Sequence, residues 1–156
     1  MRNHQLFYPL DMNRLGQLLE LCQIEIVAQQ EAAVDVVVDD MALNVGVSSD
    51  HVWMLIKSEF PVPSPGASFG GQPDDTLEDV EKAMHLLTDA TNEWNARWHY
   101  PNAYVARVGK QWVIRLDCAF YAEAGMTIEQ FQLAFNTARL CIKQAMEELP
   151  ELIPPA

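Results

Sequence analysis

The sequence predicts an α+β domain whose elements follow the order α-β-β-β-α-β-β-α, with one twisted antiparallel sheet packed against helices. Three observations support this class. Residues 34–60 contain three runs of strand-forming residues separated by turn residues, which is typical of an antiparallel meander. Residues 111–121 alternate between apolar and polar side chains, as a strand with one buried face does. Two long stretches, 76–98 and 127–149, repeat apolar residues at steps of three and four, which is the spacing of an amphipathic helix.

The elements before the long helices are predicted from caps and turns. Residues 10–22 form an opening helix that Asp11 caps, and a short extended piece follows at residues 24–28. The meander then consists of three strands with two polar turns: Val34 to Val38, Asp39-Asp40, Leu43 to Val47, Ser48-Ser49-Asp50, and Val52 to Phe60. Residues 61–74 are rich in proline and glycine, and we expect an irregular loop there, within a single domain that covers residues 1–156.

The first long helix is predicted to begin after a cap at Asp75 or Thr76 and to end before Pro101. Its buried stripe is predicted to consist of the large apolar residues and one threonine at helical spacing: Leu77, Val80, Met84, Leu87, Thr91, Trp94 and Trp98.

A β-hairpin is predicted next, because Gly109-Lys110 supplies a two-residue turn with glycine first, as a type II′ turn requires. The turn sets the register of the two strands and predicts three cross-strand pairs: Val105 with Ile114, Arg107 with Trp112, and Tyr104 with Arg115.

The last helix has a strong start signal. Thr127 and Gln130 form a capping box, and Met126 is placed to pack on Phe131. Its apolar face is wider than one stripe, because Leu133 and Leu140 fall partly outside the main line. These two leucines either extend the core or form an interface with a partner or a second copy of the chain. We favour the interface for Leu140.

Composition and charge restrict the kinds of partner. The formal charge is −12, from 10 basic and 22 acidic residues, so nucleic acid and anionic membranes are not expected to bind, whereas a basic protein surface could be attracted. Three cysteines without close spacing are typical of free thiols in a reducing compartment. With neither a signal-peptide pattern nor a membrane-length apolar run, we expect a cytoplasmic protein.

A search for catalytic, metal-binding and cofactor-binding patterns yields no candidate residues. The four histidines are scattered, the chain has no nucleophile-elbow motif, and Ser68-Phe69-Gly70-Gly71 lies in the proline-rich loop and not between a strand and a helix. Asn95 is unusual, because asparagine is a poor helix former and this one lies beside the buried stripe. We expect its side chain to hydrogen-bond the backbone of the adjoining strand.

Four short motifs in order carry a resemblance to a known family: Asn92-Glu93-Trp94-Asn95, Pro101-Asn102-Ala103-Tyr104-Val105, the Gly-Lys turn with Val113 to Asp117, and Gly125-Met126-Thr127 with Glu129-Gln130-Phe131. They resemble the YbjN family of bacterial sensory transduction regulators. That family is similar in fold to type III secretion chaperones, which implies a sheet covered by helices and, often, a dimer. The resemblance implies structural roles for the motif positions Asn92, Trp94, Asn95, Tyr104, Gly125 and Thr127. The length of the loop at residues 61–74 departs from the family, and no enzymatic residues can be carried over.

Two functions of different classes follow. The leading hypothesis is a non-enzymatic protein-interaction module, a regulator or chaperone-like adaptor whose partner is an unidentified protein or, as a homodimer, a second copy of the chain. The alternative is a small-molecule sensor with an aromatic pocket lined by Trp94, Trp98 and Trp112. Enzymatic activity has no supporting motif.

Overall fold

The computed structural model describes residues 9–65 and 76–155 and confirms the α+β class and the predicted order of elements. Short strand β1 lies where an extended piece was predicted. The elements are α1 (Met12–Leu21), β1 (Ile26–Gln29), β2 (Ala33–Val38), β3 (Met41–Val47), β4 (Trp53–Val62), α2 (Leu77–Arg97), β5 (Asn102–Val108), β6 (Gln111–Tyr121), α3 (Ile128–Glu148) and a terminal 3₁₀ turn (Leu149–Leu152).

The six strands form one open sheet in the order β1-β2-β3-β4-β6-β5. The described chain divides into two compact units. Unit 1 contains residues 9–57 and 118–139, and unit 2 contains residues 58–65, 76–117 and 140–155. None of the described helices is both long enough and apolar enough to cross a membrane.

Unit 1 is built on the predicted meander. β2 pairs with β3 from Ala33↔Gly46 to Val38↔Met41, and β3 pairs with β4, with Val45 opposite Ile56. Apolar residues on one face of these strands, such as Val36 and Val45, are buried because side chains alternate along a strand. Asp11 caps α1 by accepting a hydrogen bond of 2.7 Å from the Arg14 N–H. The core of unit 1 consists of these strand residues together with Leu15, Leu18, Leu19, Phe131 and Phe135 from the helices.

One turn and one strand position of unit 1 depend on special backbone geometry. Asp39 and Asp40, between β2 and β3, both have positive φ, 52° and 62°, as a type I′ hairpin turn requires. Gly46 in β3 lies against the backbone of a neighbouring segment, so that an added Cβ would come within 2.8 Å of the Ala32 carbonyl oxygen. Glycine is needed at position 46 because of this close approach.

In unit 2, Thr76 caps α2 by accepting a hydrogen bond of 3.1 Å from the Asp79 N–H. The predicted stripe of α2 was partly wrong: Leu77, Met84 and Trp98 are exposed. The buried line instead combines two alanines with three of the predicted residues: Ala83, Leu87, Ala90, Thr91 and Trp94. Alanine allows close approach of a helix to its neighbour, and α2 contacts β5. The sequence pattern favoured large side chains and missed the small ones.

The β5–β6 hairpin has the predicted register, with Val105 opposite Ile114, Arg107 opposite Trp112 and Tyr104 opposite Arg115. Gly109 has a φ of 61°, which suits the first position of the predicted turn. The predicted loop at 61–74 was wrong in its first two residues, because β4 continues to Val62, whose carbonyl accepts a hydrogen bond from the Gln111 side chain. Residues 66–74, with the Ser68 to Gly71 motif, lie outside the described residues, as does the alternative cap Asp75.

The capping box of α3 is present as predicted. The Gln130 N–H donates to Thr127 Oγ1 at 3.2 Å, and the Thr127 N–H donates to Gln130 Oε1 at 2.9 Å. Gly125, just before this box, has a φ of 84°, a conformation that glycine adopts without steric cost. The cap therefore fixes where α3 begins.

Candidate functional site

Asn95 lies near the end of α2 and holds the outer side of β5. Its Nδ2 donates to the Ala103 carbonyl at 2.8 Å, and its Oδ1 accepts from the Ala103 N–H at 2.8 Å. The carboxamide thus bonds both backbone groups of one strand residue, as a neighbouring strand would. The backbone hydrogen bonds expected from the sequence are present, and at this position the sheet edge is covered by the protein's own side chain.

The other motif residues occupy different surroundings. Trp94 is buried, and its Nε1 donates to the Pro101 carbonyl at 3.0 Å, whereas Asn92 is exposed. Tyr104 is exposed on β5 opposite Arg115. Trp94, Asn95 and Tyr104 belong to unit 2, while Gly125 and Thr127 belong to the start of α3 in unit 1.

Two of the three tryptophans proposed for an aromatic pocket lie in the core. Trp94 and Trp112 are each 1% exposed, while Trp98 is largely exposed and contacts Trp94 with ring centroids 5.7 Å apart. Arg107 lies over the Trp112 ring at 5.0 Å, a cation–π geometry that covers the indole. Trp94 and Trp112 therefore contribute to packing and do not line an open site.

β1 is an exposed strand at the end of the sheet in unit 1. All four of its residues are exposed, its sequence is Ile-Val-Ala-Gln, and Val27 has 63% of its surface accessible. It pairs with β2 through Ile26↔Val36 and Gln29↔Val34, with a bulge at Val27, and no described strand pairs with its other side. Apolar residues without a charged side chain in the strand leave this edge open to pairing.

The charge around β1 is strongly negative. Between residues 15 and 56 the chain has seven acidic residues and neither lysine nor arginine. The described residues of unit 1 contain ten acidic and three basic side chains, which gives a formal charge of −7. Glu25 directly precedes β1, and Glu31 lies two residues after its end. This field favours approach of a positively charged partner.

Unit 1 also contains an open cleft with a volume of about 240 Å³. It is lined by the end of α1, the turn after β2, and one side of α3: Cys22, Ile24, Val38, Asp39, Phe131, Gln132, Phe135, Asn136 and Arg139. Arg139 Nη1 donates to Asp39 Oδ2 in an ion pair at the cleft. Burial raises the pKa of the Cys22 thiol, against a hydrogen bond from Gln132 that lowers it, so the thiol stays neutral at pH 7.

The described residues offer no cluster of three or more histidine, cysteine, aspartate or glutamate side chains that could hold a metal ion. His85 lies 3.5 Å from Asp89, but both side chains are largely exposed on α2. The three cysteines are free thiols.

Sequence reasoning missed both the β1 edge and the cleft. The absence of lysine and arginine from position 15 to 56 was a readable signal for the negative charge around β1, whereas the free edge itself follows from the sheet order. The cleft had no such signal, because the ion pair joins residues 100 positions apart and Asp39 looked like an ordinary turn residue.

No protein-family model matches this sequence, and neither does any curated protein. The structure is similar to that of YbjN from E. coli, a candidate transcription regulator, with a TM-score of 0.68 and 13% sequence identity over 93% of each chain. It is also similar to an uncharacterized protein from Methanothermobacter thermautotrophicus, with a TM-score of 0.54 and 11% identity over 93% of this chain and 100% of that one. The chain therefore has the YbjN-like α+β fold.

Proposed function

We propose that this protein is a non-enzymatic protein-interaction module, a regulator or chaperone-like adaptor that binds an extended segment of a partner along β1. The observation that carries the proposal is the exposed edge of β1, with four exposed residues and no charged side chain among them. The YbjN-like fold supports it, because the YbjN structure belongs to a candidate regulator.

An open strand edge binds another strand through backbone hydrogen bonds, and side chains of alternate residues add specificity. The two edge strands differ in whether their outer backbone groups are already hydrogen-bonded. At β5, Asn95 already bonds the N–H and the carbonyl of Ala103, so a new strand could not use those groups. At β1 no described side chain forms a corresponding pair of hydrogen bonds. β1 is therefore the edge at which a partner strand can be added.

The expected partner segment combines apolar and basic side chains. Val27 and Ile26 offer apolar contact, and the carboxylates of Glu25 and Glu31 flank them. Homodimerisation by antiparallel pairing of two β1 strands is the form of this proposal that needs no further protein. Sedimentation velocity at high micromolar concentration tests this form, and a dimer that Val27→Lys converts to a monomer would support it.

Leu133, in unit 1, and Leu140, in unit 2, are each proposed as a contact residue on α3. They are 72% and 56% exposed, so neither side chain belongs to the core. Each exposed leucine offers an apolar side chain for contact with a partner or with a second copy of the chain. Leu133→Asp and Leu140→Asp should leave the melting temperature within a few degrees of wild type and weaken partner binding or self-association. An unfolded variant would contradict the exposure on which this proposal rests.

The test of β1 is affinity capture from the native host with three immobilised proteins: wild type, Val27→Lys and Val37→Lys. Val37 is a matched control, because it is a valine in the adjacent strand β2 and is 56% exposed, against 63% for Val27. A lysine at an edge blocks strand pairing, whereas a lysine on the face of β2 does not.

We expect a partner that wild type and Val37→Lys retain and Val27→Lys loses. Equal retention by all three proteins would refute the edge, and release of product from a small molecule by the purified protein would refute the non-enzymatic assignment.

A further inference from the structure

The cleft of unit 1 has the composition of a small ligand site. The apolar part of its wall is formed by the half-buried side chains of Ile24 and Val38, while Phe131 and Phe135 are buried beneath it. Gln132 and Asn136, one turn apart on α3, add two carboxamides at the rim. An apolar wall with a few convergent polar groups is the usual constitution of a ligand pocket.

The size of the cleft limits what can enter. Drug-sized ligands occupy pockets of roughly 300–1,000 Å³. A volume of about 240 Å³ lies below that range, so the part of a ligand that enters the cleft has few non-hydrogen atoms.

The ion pair at the cleft selects the charge of this molecule. Arg139 uses Nη1 for Asp39, and a guanidinium has five N–H donors in a planar fork, so it can also bind a carboxylate. Asp39 accepts at Oδ2, and its second oxygen can accept from an ammonium group. The site thus presents one positive and one negative group in direct contact, and the complement is a ligand with a carboxylate and an ammonium equally close together.

We propose that this cleft binds a free α-amino acid with an apolar side chain. Its carboxylate binds Arg139, its ammonium binds Asp39, and its side chain lies against Ile24 and Val38. The ligand carries no net charge and forms an alternating arrangement of four charges with the ion pair, so the acidic field of unit 1 does not oppose its entry. This site is separate from the β1 edge and goes beyond the interaction function proposed above.

Backbone geometry holds the acidic partner in place. Asp39 lies in a two-residue turn with positive φ at both positions, and its side chain forms a direct ion pair with Arg139. The neutral thiol of Cys22, hydrogen-bonded to Gln132, leaves the rest of the lining without charge. Asp39 and Arg139 are therefore the charged residues of the lining, and a zwitterion complements this pair.

The test is NMR titration of the ¹⁵N-labelled protein with the apolar L-amino acids, led by L-leucine. Each is compared with two analogues that lack one charge; for leucine these are 3-methylbutylamine and 4-methylpentanoate. We expect saturable shifts at residues 38–40 and 131–139, with binding weaker by about tenfold or more for each analogue. Shifts confined to other residues, equal binding of the analogues, or no shift at about 10 mM of any apolar amino acid would overturn the proposal.

Variants supply an independent comparison. Arg139→Gln and Asp39→Asn should each weaken amino acid binding by roughly tenfold or more. Arg115→Gln is the control, because Arg115 also forms an ion pair with an acidic residue, Glu59, but in unit 2 and with greater exposure. Arg115→Gln should bind as wild type does. Unchanged binding by both cleft variants would refute the charge-pair mechanism, whatever the result of the partner capture at β1.

Discussion

Replacing Asn95 with alanine tests how the edge of β5 is held. The substitution removes two hydrogen bonds of 2.8 Å and leaves the N–H and the carbonyl of Ala103 without their side-chain partner. A net contribution of roughly 0.5–1.5 kcal/mol for each hydrogen bond predicts a loss of about 1–3 kcal/mol in the free energy of unfolding. Asn95 is only half-buried, so water can replace part of what is lost, and the middle of this range is expected.

The result is measured as a shift in melting temperature by circular dichroism. For a protein of this size, a loss of about 2 kcal/mol lowers the melting temperature by roughly 4–8 °C. Asn92→Ala is the matched control: Asn92 lies three residues earlier in α2 and is exposed. Both variants gain the same helix propensity, so the difference between them isolates the hydrogen bonds. If both variants melt within about 1 °C of each other, this account of Asn95 is wrong.

Other predictions concern backbone contact and pH. Gly46→Ala should destabilise the protein by about 1–3 kcal/mol, because the new Cβ meets the Ala32 carbonyl oxygen at 2.8 Å. Gly16→Ala, inside α1 with open space around it, should stabilise the protein by roughly 0.5–1 kcal/mol. Urea denaturation measures the free energy of unfolding of both variants. Hydrogen bonds from Asn44 and Gln30 lower the pKa of Asp35 below its ordinary value. Their contribution is therefore full above a pH of about 4 and disappears as the pH falls through the lowered pKa of the folded state. Asn44→Ala should destabilise the protein at pH 7 and much less at a pH of about 2, and an equal deficit at both would contradict this origin.

The elements that were predicted well depend on interactions between residues close in sequence. The capping box of Thr127 and Gln130 spans three residues, and the register of the β5–β6 hairpin follows from the turn at Gly109. An interaction between residues close in sequence can be predicted from the residue types and their spacing, without knowledge of the tertiary structure. The same reasoning located the hydrogen bonds of Asn95, whose partner Ala103 is eight residues away.

The elements that were predicted poorly depend on what packs against them. Helix α2 buries Ala83 and Ala90. Because alanine is only weakly hydrophobic, the sequence pattern does not show that these two residues belong to the buried side of the helix. The cleft depends on Asp39 and Arg139 meeting across 100 residues, which only the folded chain can show. A free edge is likewise a property of the sheet order and not of β1 alone.

The central claim is that β1 is the protein-binding edge, and hydrogen–deuterium exchange of its backbone amides tests it most directly. The protein is compared free and in complex with the partner that wild type and Val37→Lys capture and Val27→Lys does not. The account predicts slower exchange in the complex at residues 26–29, because backbone groups that faced water become paired with the partner strand. Unchanged exchange at these four residues, with protection confined to α3 around Leu133 and Leu140, would contradict it.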